Sequence, residues 1–310
     1  MDEIIPDCKS SRRKPLAACL LSLAATGLGH IYCGRLFKGL MLFFVSIAFG
    51  PIIVAAANRA ASTLMLAIVL GSLVLVFAVS VYAVVDSGLL ARKLTAYRLK
   101  EYNRWYLYLL LIVVAASYPT NFARTIRNHV LQAFKVSSAS MSPGLLPGDR
   151  VLLNKAVYKT QAPQRGDVVI FTYPDDRRLN YVKRIVALAG DTVEIRDNIL
   201  LVDDRPLESP AGRGSALDFE PEGTQVVLME NNAAAVYPIL VDSSRTQNMA
   251  KLTVPHGHCF VLGDNRSQSV DSRHFGPVPM SDVQGRLDYI YWPAKSWRRL
   301  GLYPPKTAPH

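Results

Sequence analysis

The stretch NYVKRIVALAGDTVEIRDNILLV, residues 180–202, decides the fold of the second half of this chain. Its Val, Ile and Leu residues come in short runs interrupted by Gly, Asp and Asn, which is typical of β-strands joined by tight turns. Similar short runs lie at 149–155, 166–173 and 258–264. No long 3.6-residue periodicity accompanies them. The pattern predicts a mostly antiparallel β domain, with barrel-like or sandwich sheets, over residues 123–310.

One part of this domain carries weaker strand signals. Residues 209–250 are less regular, although they contain apolar runs at 224–229 and 233–240. We therefore expect an inserted lobe or long loops there. Just before it, the sequence DNILLVDDRPL predicts a hairpin arm that turns at Asp203–Asp204.

The first 122 residues have a different composition, dominated by Leu, Ala, Val, Ile and Phe. Three segments without charged residues, 39–57, 63–85 and 105–120, approach or exceed the roughly 20 residues that a helix needs to cross a bilayer. The third is the shortest and begins with Trp and Tyr residues, as at a membrane interface. The alternative, buried core helices, fits so long and uncharged a sequence less well. We predict an N-terminal α-helical transmembrane region over residues 1–122.

The distribution of basic residues predicts the orientation. The loop at 91–104 carries five basic residues and the loop at 58–62 carries one. Short basic loops stay on the cytoplasmic side, so the β domain is expected outside the cytoplasm. Basic residues at 9–14 place the N-terminus inside as well. With three crossings, an N-terminus inside and a β domain outside are compatible only if the weaker apolar segment 16–31 does not cross the membrane. We therefore predict that this segment is re-entrant or interfacial.

The bulk charge and the cysteines exclude other classes. A nucleic-acid binder would be expected to carry its charge as a patch with interleaved aromatics. Here much of the formal net charge of +11 flanks apolar segments instead, so we expect no nucleic-acid partner. Of four cysteines only Cys259 lies in the β half. The chain has no C-x-x-C pair and no metal-site spacing, so we predict no metal and no cofactor.

The residues that carry chemistry lie in three stretches. SASMSP at 138–143 presents Ser140 before Met141, Lys183 lies inside an apolar strand, and the polar sequence GDNRSQSVDSRHFGPV covers 263–278. A serine hydroxyl is a poor nucleophile until a base takes its proton. Three histidines of this half are considered as the base, His256, His258 and His274, and none has an obvious acidic partner. No G-x-S-x-G elbow appears either.

Lys183 is the other candidate for the base. Its pKa in water is about 10.4. An apolar environment disfavours the charged amine and can lower that value by about 3–5 units. Strand alternation places Lys183 on the same face as Tyr181 and Ile185, and Arg184 on the opposite face. From this strand alone, an ordinary lysine that reaches solvent is the simpler interpretation.

A resemblance changes that interpretation. Five stretches resemble, in order, the sequence boxes of bacterial type I signal peptidases, also called leader peptidases: SASMSPGLLPGD, GDRVLLNK, RGDVVIF, YVKRIVALAGD and GDNRSQSVDSRHFGPV. The resemblance implies a serine–lysine dyad, with Ser140 as the acylating nucleophile and Lys183 as the general base. It also implies supporting roles for Ser138 in the oxyanion hole, for Ser269 in orienting the base, for the charged pair Asp271 and Arg273, and for the turn residues Gly263, Asp264 and Asn265.

The function that follows is a serine endopeptidase of the cytoplasmic membrane, multi-pass, with its catalytic domain on the extracytoplasmic side. It would remove signal peptides from exported preproteins, which would add as a strand beside the residues preceding Ser140. The expected partners are signal peptides, the bilayer and the protein-export machinery. Two alternatives stay open: a dedicated peptidase for one secretion-system or pilus substrate, and a catalytically silent membrane scaffold. The intact set of Ser140, Lys183 and Ser269 argues against the scaffold.

Overall fold

The chain divides into two compact units, residues 1–126 and 127–310, which are described separately. This is a computed structural model, and it describes residues 12–57, 62–94, 102–213, 219–233 and 235–303.

The first unit is helical because its sequence has long apolar runs without helix-breaking charge clusters. Its helices are α1 (Pro15–Ala24), α2 (Leu28–Tyr32), α3 (Leu36–Ala57), α4 (Ser62–Lys93) and α5 (Trp105–His129), the last of which continues into the second unit. Within the described residues one segment, Leu70–Lys93, is long and apolar enough to cross a membrane, with a mean hydropathy of 2.2. The apolar parts of α3 and α5, Leu36–Ala48 and Trp105–Ser117, are shorter. Of the three predicted spans, only the second, at 63–85, overlaps a described segment that is long and apolar enough to cross a membrane.

The helices α1 and α2 form a short hairpin in the region predicted to be re-entrant or interfacial. With ten residues, α1 is about 15 Å long, half of the about 30 Å of a bilayer core. The chain turns at Gly27, which has a φ of 91°. His30 on α2 is fully buried, and its Nε2 lies 2.7 Å from an Asp86 carboxylate oxygen on α4. The Lys38 amine donates to the same oxygen at 2.7 Å. The location of this hairpin in a membrane stays a prediction.

The second unit consists mainly of short strands, as predicted. In chain order they are β1 (Leu131–Lys135), β2 (Arg150–Asn154), β3 (Val168–Thr172), β4 (Asn180–Leu188), β5 (Thr192–Arg196), β6 (Ile199–Val202), β7 (Arg205–Pro206), β8 (Glu208–Arg213), β9 (Gln225–Asn232), β10 (Ala235–Asp242), β11 (Met249–Thr253), β12 (His258–Leu262), β13 (Val278–Pro279), β14 (Val283–Trp292) and β15 (Gly301–Leu302). A short helix, α6 (Ser272–Phe275), lies between β12 and β13.

Three antiparallel sheets result. The main sheet has the order β1-β2-β14-β3-β4-β12-β13, with β15 paired to β14. A second sheet has the order β11-β5-β6-β7 and a third the order β10-β9-β8. The mostly antiparallel fold is therefore confirmed. The predicted turn at Asp203–Asp204 is also present, and both residues have the positive φ that a type I′ hairpin turn requires.

The interpretation of residues 209–250 as irregular was wrong. The apolar runs there are β9 and β10, which pair over eight residues from Ala235 with Asn232 to Asp242 with Gln225. The two residues between these strands are alanines rather than Asn-Gly or Asp-Gly, so the usual sequence signal of a hairpin is missing. We call the sheet of β8, β9 and β10 the lobe sheet. Its described core includes Tyr237, Ile239 and Val241.

Candidate active site

The candidate nucleophile lies on a single 3₁₀ turn, Ala139–Met141, that follows β1. The next residue, Met141, is 1% exposed and packs with Leu145 in the core, so its burial fixes the turn from one side. Ser140 itself faces a groove. The hydroxyl oxygens of Ser138 and Ser140 lie 3.1 Å apart, within hydrogen-bond distance.

Lys183 reaches this serine from the middle of β4. Its amine donates a hydrogen bond of 2.8 Å to Ser140 Oγ, and its Nζ lies 5.5 Å from the centre of the Tyr181 ring. Lys183 is only 3% exposed. Burial lowers the pKa of its amine to about 8, against the opposing effect of the Asp271 and Asp264 charges. Among the described residues no carboxylate forms an ion pair with Lys183, so the contact of this amine is with a hydroxyl.

The next residue of β4 supports the site from the opposite face, as strand alternation predicts. Arg184 is 1% exposed and donates two hydrogen bonds, of 2.8 and 2.6 Å, to the Asp264 carboxylate. Its guanidinium also stacks on the Tyr237 ring at 3.9 Å. This pair holds the turn at 263–266 against β4.

That turn holds the backbone of the candidate nucleophile. The Asn265 N–H donates to the Ser140 carbonyl at 3.1 Å, and the Asn265 side-chain amide donates to the Ala139 carbonyl at 3.3 Å. Gly263 packs so tightly that a methyl group there would lie 2.2 Å from Ser269 Oγ and 2.5 Å from the Ser140 carbonyl oxygen. The three predicted turn residues are therefore brought under the candidate nucleophile.

The predicted charged pair is formed. Arg273 donates to the Asp271 carboxylate at 2.8 and 2.7 Å, and the Gly263 N–H donates to the same carboxylate at 3.0 Å. Burial opposes the ionised carboxylate, but these donors hold the pKa of Asp271 below its ordinary value. Ser269 is buried next to Gly263. The structure contains no hydrogen bond between its hydroxyl and the amine of Lys183.

Two further contacts have no signal in the sequence. Glu230 on β9 pairs with Arg266 in the turn at 263–266, and both are buried. Residues near 300 close the loop that follows the candidate nucleophile: Arg299 donates to the Gly144 carbonyl at 2.7 Å and pairs with Asp149 at 2.9 Å. Each contact joins residues far apart in sequence, and in each pair one partner, Glu230 or Arg299, lies outside the five stretches that resemble the family.

A groove opens in front of Ser140 and Lys183, with a cavity volume of about 330 Å³. Its lining includes both apolar and polar side chains. The lining residues are Phe134, Lys135, Val136, Ser137, Ser138, Ser140, Met141, Val151, Ile170, Asn180, Tyr181, Val182, Lys183, Gln268 and Val270.

Comparison with known proteins identifies the family. The model of the family described as "Signal peptidase, peptidase S26" matches residues 102–292. A signal peptidase I from Aquifex aeolicus is 32% identical, over 55% of this chain and 79% of that protein. One from Bacillus caldolyticus is 30% identical, over 66% of this chain and 98% of that protein. A solved signal peptidase I from Enterococcus faecalis is 32% identical, covers 41% of this chain and 97% of that one, and gives a TM-score of 0.27.

The family assignment rests on the sequence matches, which cover well over half of the chain. Members of this family cleave peptide bonds with serine–lysine chemistry. The chain therefore belongs to the signal peptidase family, peptidase S26, and is a serine endopeptidase.

Proposed function

We propose that this chain removes signal peptides from exported preproteins, with Ser140 as the nucleophile and Lys183 as the general base. The neutral Lys183 amine takes the Ser140 proton as the hydroxyl oxygen attacks the scissile carbonyl carbon. When the C–N bond breaks, the lysine ammonium returns the proton to the departing amine. Lys183 then takes a proton from a water molecule as the water oxygen attacks the ester carbonyl carbon. It returns that proton to the Ser140 oxygen when the ester C–O bond breaks, which frees the acid product and restores the enzyme.

One observation carries this proposal: the hydrogen bond of 2.8 Å from the buried Lys183 amine to Ser140 Oγ. A base must lie within hydrogen-bond distance of the proton it takes. It must also be uncharged at the pH of the reaction, and burial brings the pKa of this amine to about 8. A carboxylate partner would raise that pKa, so a hydroxyl partner suits a lysine that acts as a base.

The negative oxygen of the tetrahedral intermediate needs hydrogen-bond donors. We assign them to the Ser140 N–H and the Ser138 hydroxyl, which lies 3.1 Å from Ser140 Oγ. Ser269, Asp271 and Arg273 are proposed to support the position of Lys183 and of the turn that begins at Gly263.

The substrate would bind in the groove as an added strand. Two chain segments border it, residues 134–138 at the end of β1 and just beyond it, and residues 180–183 of β4. The pairing of β4 with β12 begins only at Arg184, so among the described residues the 180–183 segment has no strand partner on its β12 side. The apolar side chains of Val136, Ile170 and Val182 would then contact the residues before the cleavage site.

We also propose a multi-pass topology with the β domain outside the cytoplasm. The basic loop at 91–104 supports it, because such loops remain cytoplasmic. The helix that contains Leu70–Lys93 supports a crossing just before that loop. The length of α1 supports a hairpin that does not cross.

The test is the processing of a labelled preprotein in detergent by the full chain. Ser140→Ala and Lys183→Ala should each abolish processing without unfolding the β domain. Lys251→Ala is the matched control, because that lysine forms only an exposed ion pair with Asp204. Full activity in either of the first two variants would refute the assignment of these roles.

A further inference from the structure

The lobe sheet is joined directly to the turn beneath Ser140. The Leu240 N–H on β10 donates to the Asp264 carbonyl at 2.8 Å, and the Leu240 carbonyl accepts from the Arg266 N–H at 2.8 Å. These two bonds make Leu240 and Asn265 a parallel bridge. The position of the turn therefore depends on the lobe sheet and not only on the main sheet.

A buried ion pair strengthens this junction. Arg266 donates to the two carboxylate oxygens of Glu230, each at 2.5 Å, and its Nε donates to the Gly263 carbonyl at 3.2 Å. Glu230 is 2% exposed and Arg266 is 6% exposed. Two such donors matched to one carboxylate fix the direction of the arginine side chain. Arg266 thus ties the beginning of the turn, Gly263, to its end.

The turn at 263–266 orients the peptide group between Ala139 and Ser140. The Asn265 side chain donates to the Ala139 carbonyl. That carbonyl and the Ser140 N–H belong to the same planar peptide unit and point in opposite directions. A bond that fixes the carbonyl therefore also fixes the direction in which the N–H points.

We propose that Glu230 is a positioning residue for the oxyanion hole: through Arg266 and Asn265 it holds the Ser140 N–H toward the developing oxyanion. This inference rests on the proposed function of Ser140. It gives the lobe sheet a part in the reaction, although the Glu230 carboxylate does not contact the reacting atoms.

The test compares Glu230→Gln with the unmodified full chain in detergent. Loss of one oxyanion donor lowers kcat by about 10²–10³-fold, so a misdirected donor should lower it by about tenfold or more. The KM for the preprotein should not change, because the groove is intact. A peptide aldehyde forms a hemiacetal with the nucleophilic serine, and the former aldehyde oxygen then occupies the oxyanion position. The affinity of the enzyme for such an aldehyde should therefore fall by the same factor as kcat.

Glu194→Gln is the matched control, because Glu194 pairs with the exposed Arg196 and does not contact the turn. Its kcat, KM and aldehyde affinity should be unchanged. Glu230→Asp keeps the charge and should recover part of the kcat. All rates are expressed per folded molecule, with the folded fraction measured by thermal unfolding.

Unchanged kcat per folded molecule in Glu230→Gln would overturn the proposal. A loss of kcat without a parallel loss of aldehyde affinity would also overturn it. If Glu230→Gln does not fold, Asn265→Ala carries the test, since it leaves the ion pair intact and must show the same two losses. Activity in Ser140→Ala would instead refute the proposed function itself, and inactive Ser140→Ala beside fully active Glu230→Gln would refute the positioning role alone.

Discussion

At the scale of single residues, Lys183 combines two properties that oppose each other in most proteins. Its side chain is basic, yet it is 3% exposed and contacts a hydroxyl and an aromatic ring rather than a carboxylate. The cost of burial falls on the ammonium form, so the neutral amine becomes accessible near neutral pH. The pKa of this one amine should therefore set the pH dependence of the enzyme.

We expect processing to rise with pH below about 8. The reaction needs the neutral amine, and each pH unit below a pKa of about 8 reduces its fraction about tenfold. The kcat/KM for a preprotein, measured from pH 6 to 10 in detergent, should increase with a slope near one and level off above about pH 9. A plateau that begins near pH 6.5, as for a histidine base, would contradict this assignment.

The sequence predicted this residue pair only through the family resemblance. The alternation of β4 correctly separated Lys183 from Arg184, because side chains of a strand alternate whatever the fold. The burial of Lys183 could not be deduced from β4 alone, since it depends on the groove wall and on the turn at 263–266. The hydrogen bond expected from Ser269 to Lys183 is not formed in this structure.

At the scale of elements, the turn at 263–266 depends on the absence of a side chain at Gly263. Gly263→Ala would bring a methyl group within 2.5 Å of the Ser140 carbonyl oxygen, which the Asn265 N–H also holds. We expect a loss of about 1–3 kcal/mol in the free energy of unfolding, as for other overpacked sites. Processing per folded molecule should also fall, because the displaced atom is the backbone carbonyl oxygen of Ser140, the proposed nucleophilic residue.

Thermal unfolding and preprotein cleavage measure these two effects. Gly71→Ala is the control, since nothing lies within 4 Å of a methyl group at that position of α4. It should leave both quantities nearly unchanged. Wild-type behaviour in Gly263→Ala would show that the turn relaxes and that the close packing is not required.

In the lobe sheet, the strands β9 and β10 were not predicted from the sequence. The runs at 224–229 and 233–240 were recognised as apolar, but their hairpin turn lacks the glycine that normally marks such a connection. The ion pair of Glu230 with Arg266 joins residues 36 positions apart. Arg266 lies in the stretch 263–278, but nothing in the sequence around Glu230 marks it as the partner, so only the folded chain reveals the pair.

At the scale of the whole molecule, composition alone separated a helical first unit from a β second unit, and the division at residue 126 lies close to the predicted boundary at 122. The helix α4 continues to Lys93, past the charge-free segment predicted at 63–85. In this continuation the Asp86 carboxylate contacts His30 and Lys38. Partners from distant parts of the chain are not visible in a local apolar pattern.

The proposed topology predicts which side of the membrane each unit faces. With Cys8, Cys19, Cys33 and Cys259 replaced by alanine or serine, a single cysteine at Glu220 should react with an impermeant maleimide added to intact spheroplasts. A single cysteine at Lys93 should react only after the membrane is permeabilised, because the basic loop that follows is cytoplasmic. Labelling of the Lys93 position from outside would contradict the proposed orientation.

The contacts of Arg299 with the loop after Ser140 have a consequence for the order in which the site is assembled during synthesis. During synthesis the chain emerges from its N-terminal end, so Ser140 and Lys183 are both made long before Arg299, which anchors Gly144 and Asp149 below the nucleophile loop. A partly translated chain therefore holds both reactive groups without the brace that sets their loop. The loop that carries Ser140 can therefore gain its last contacts only once residue 299 has been made.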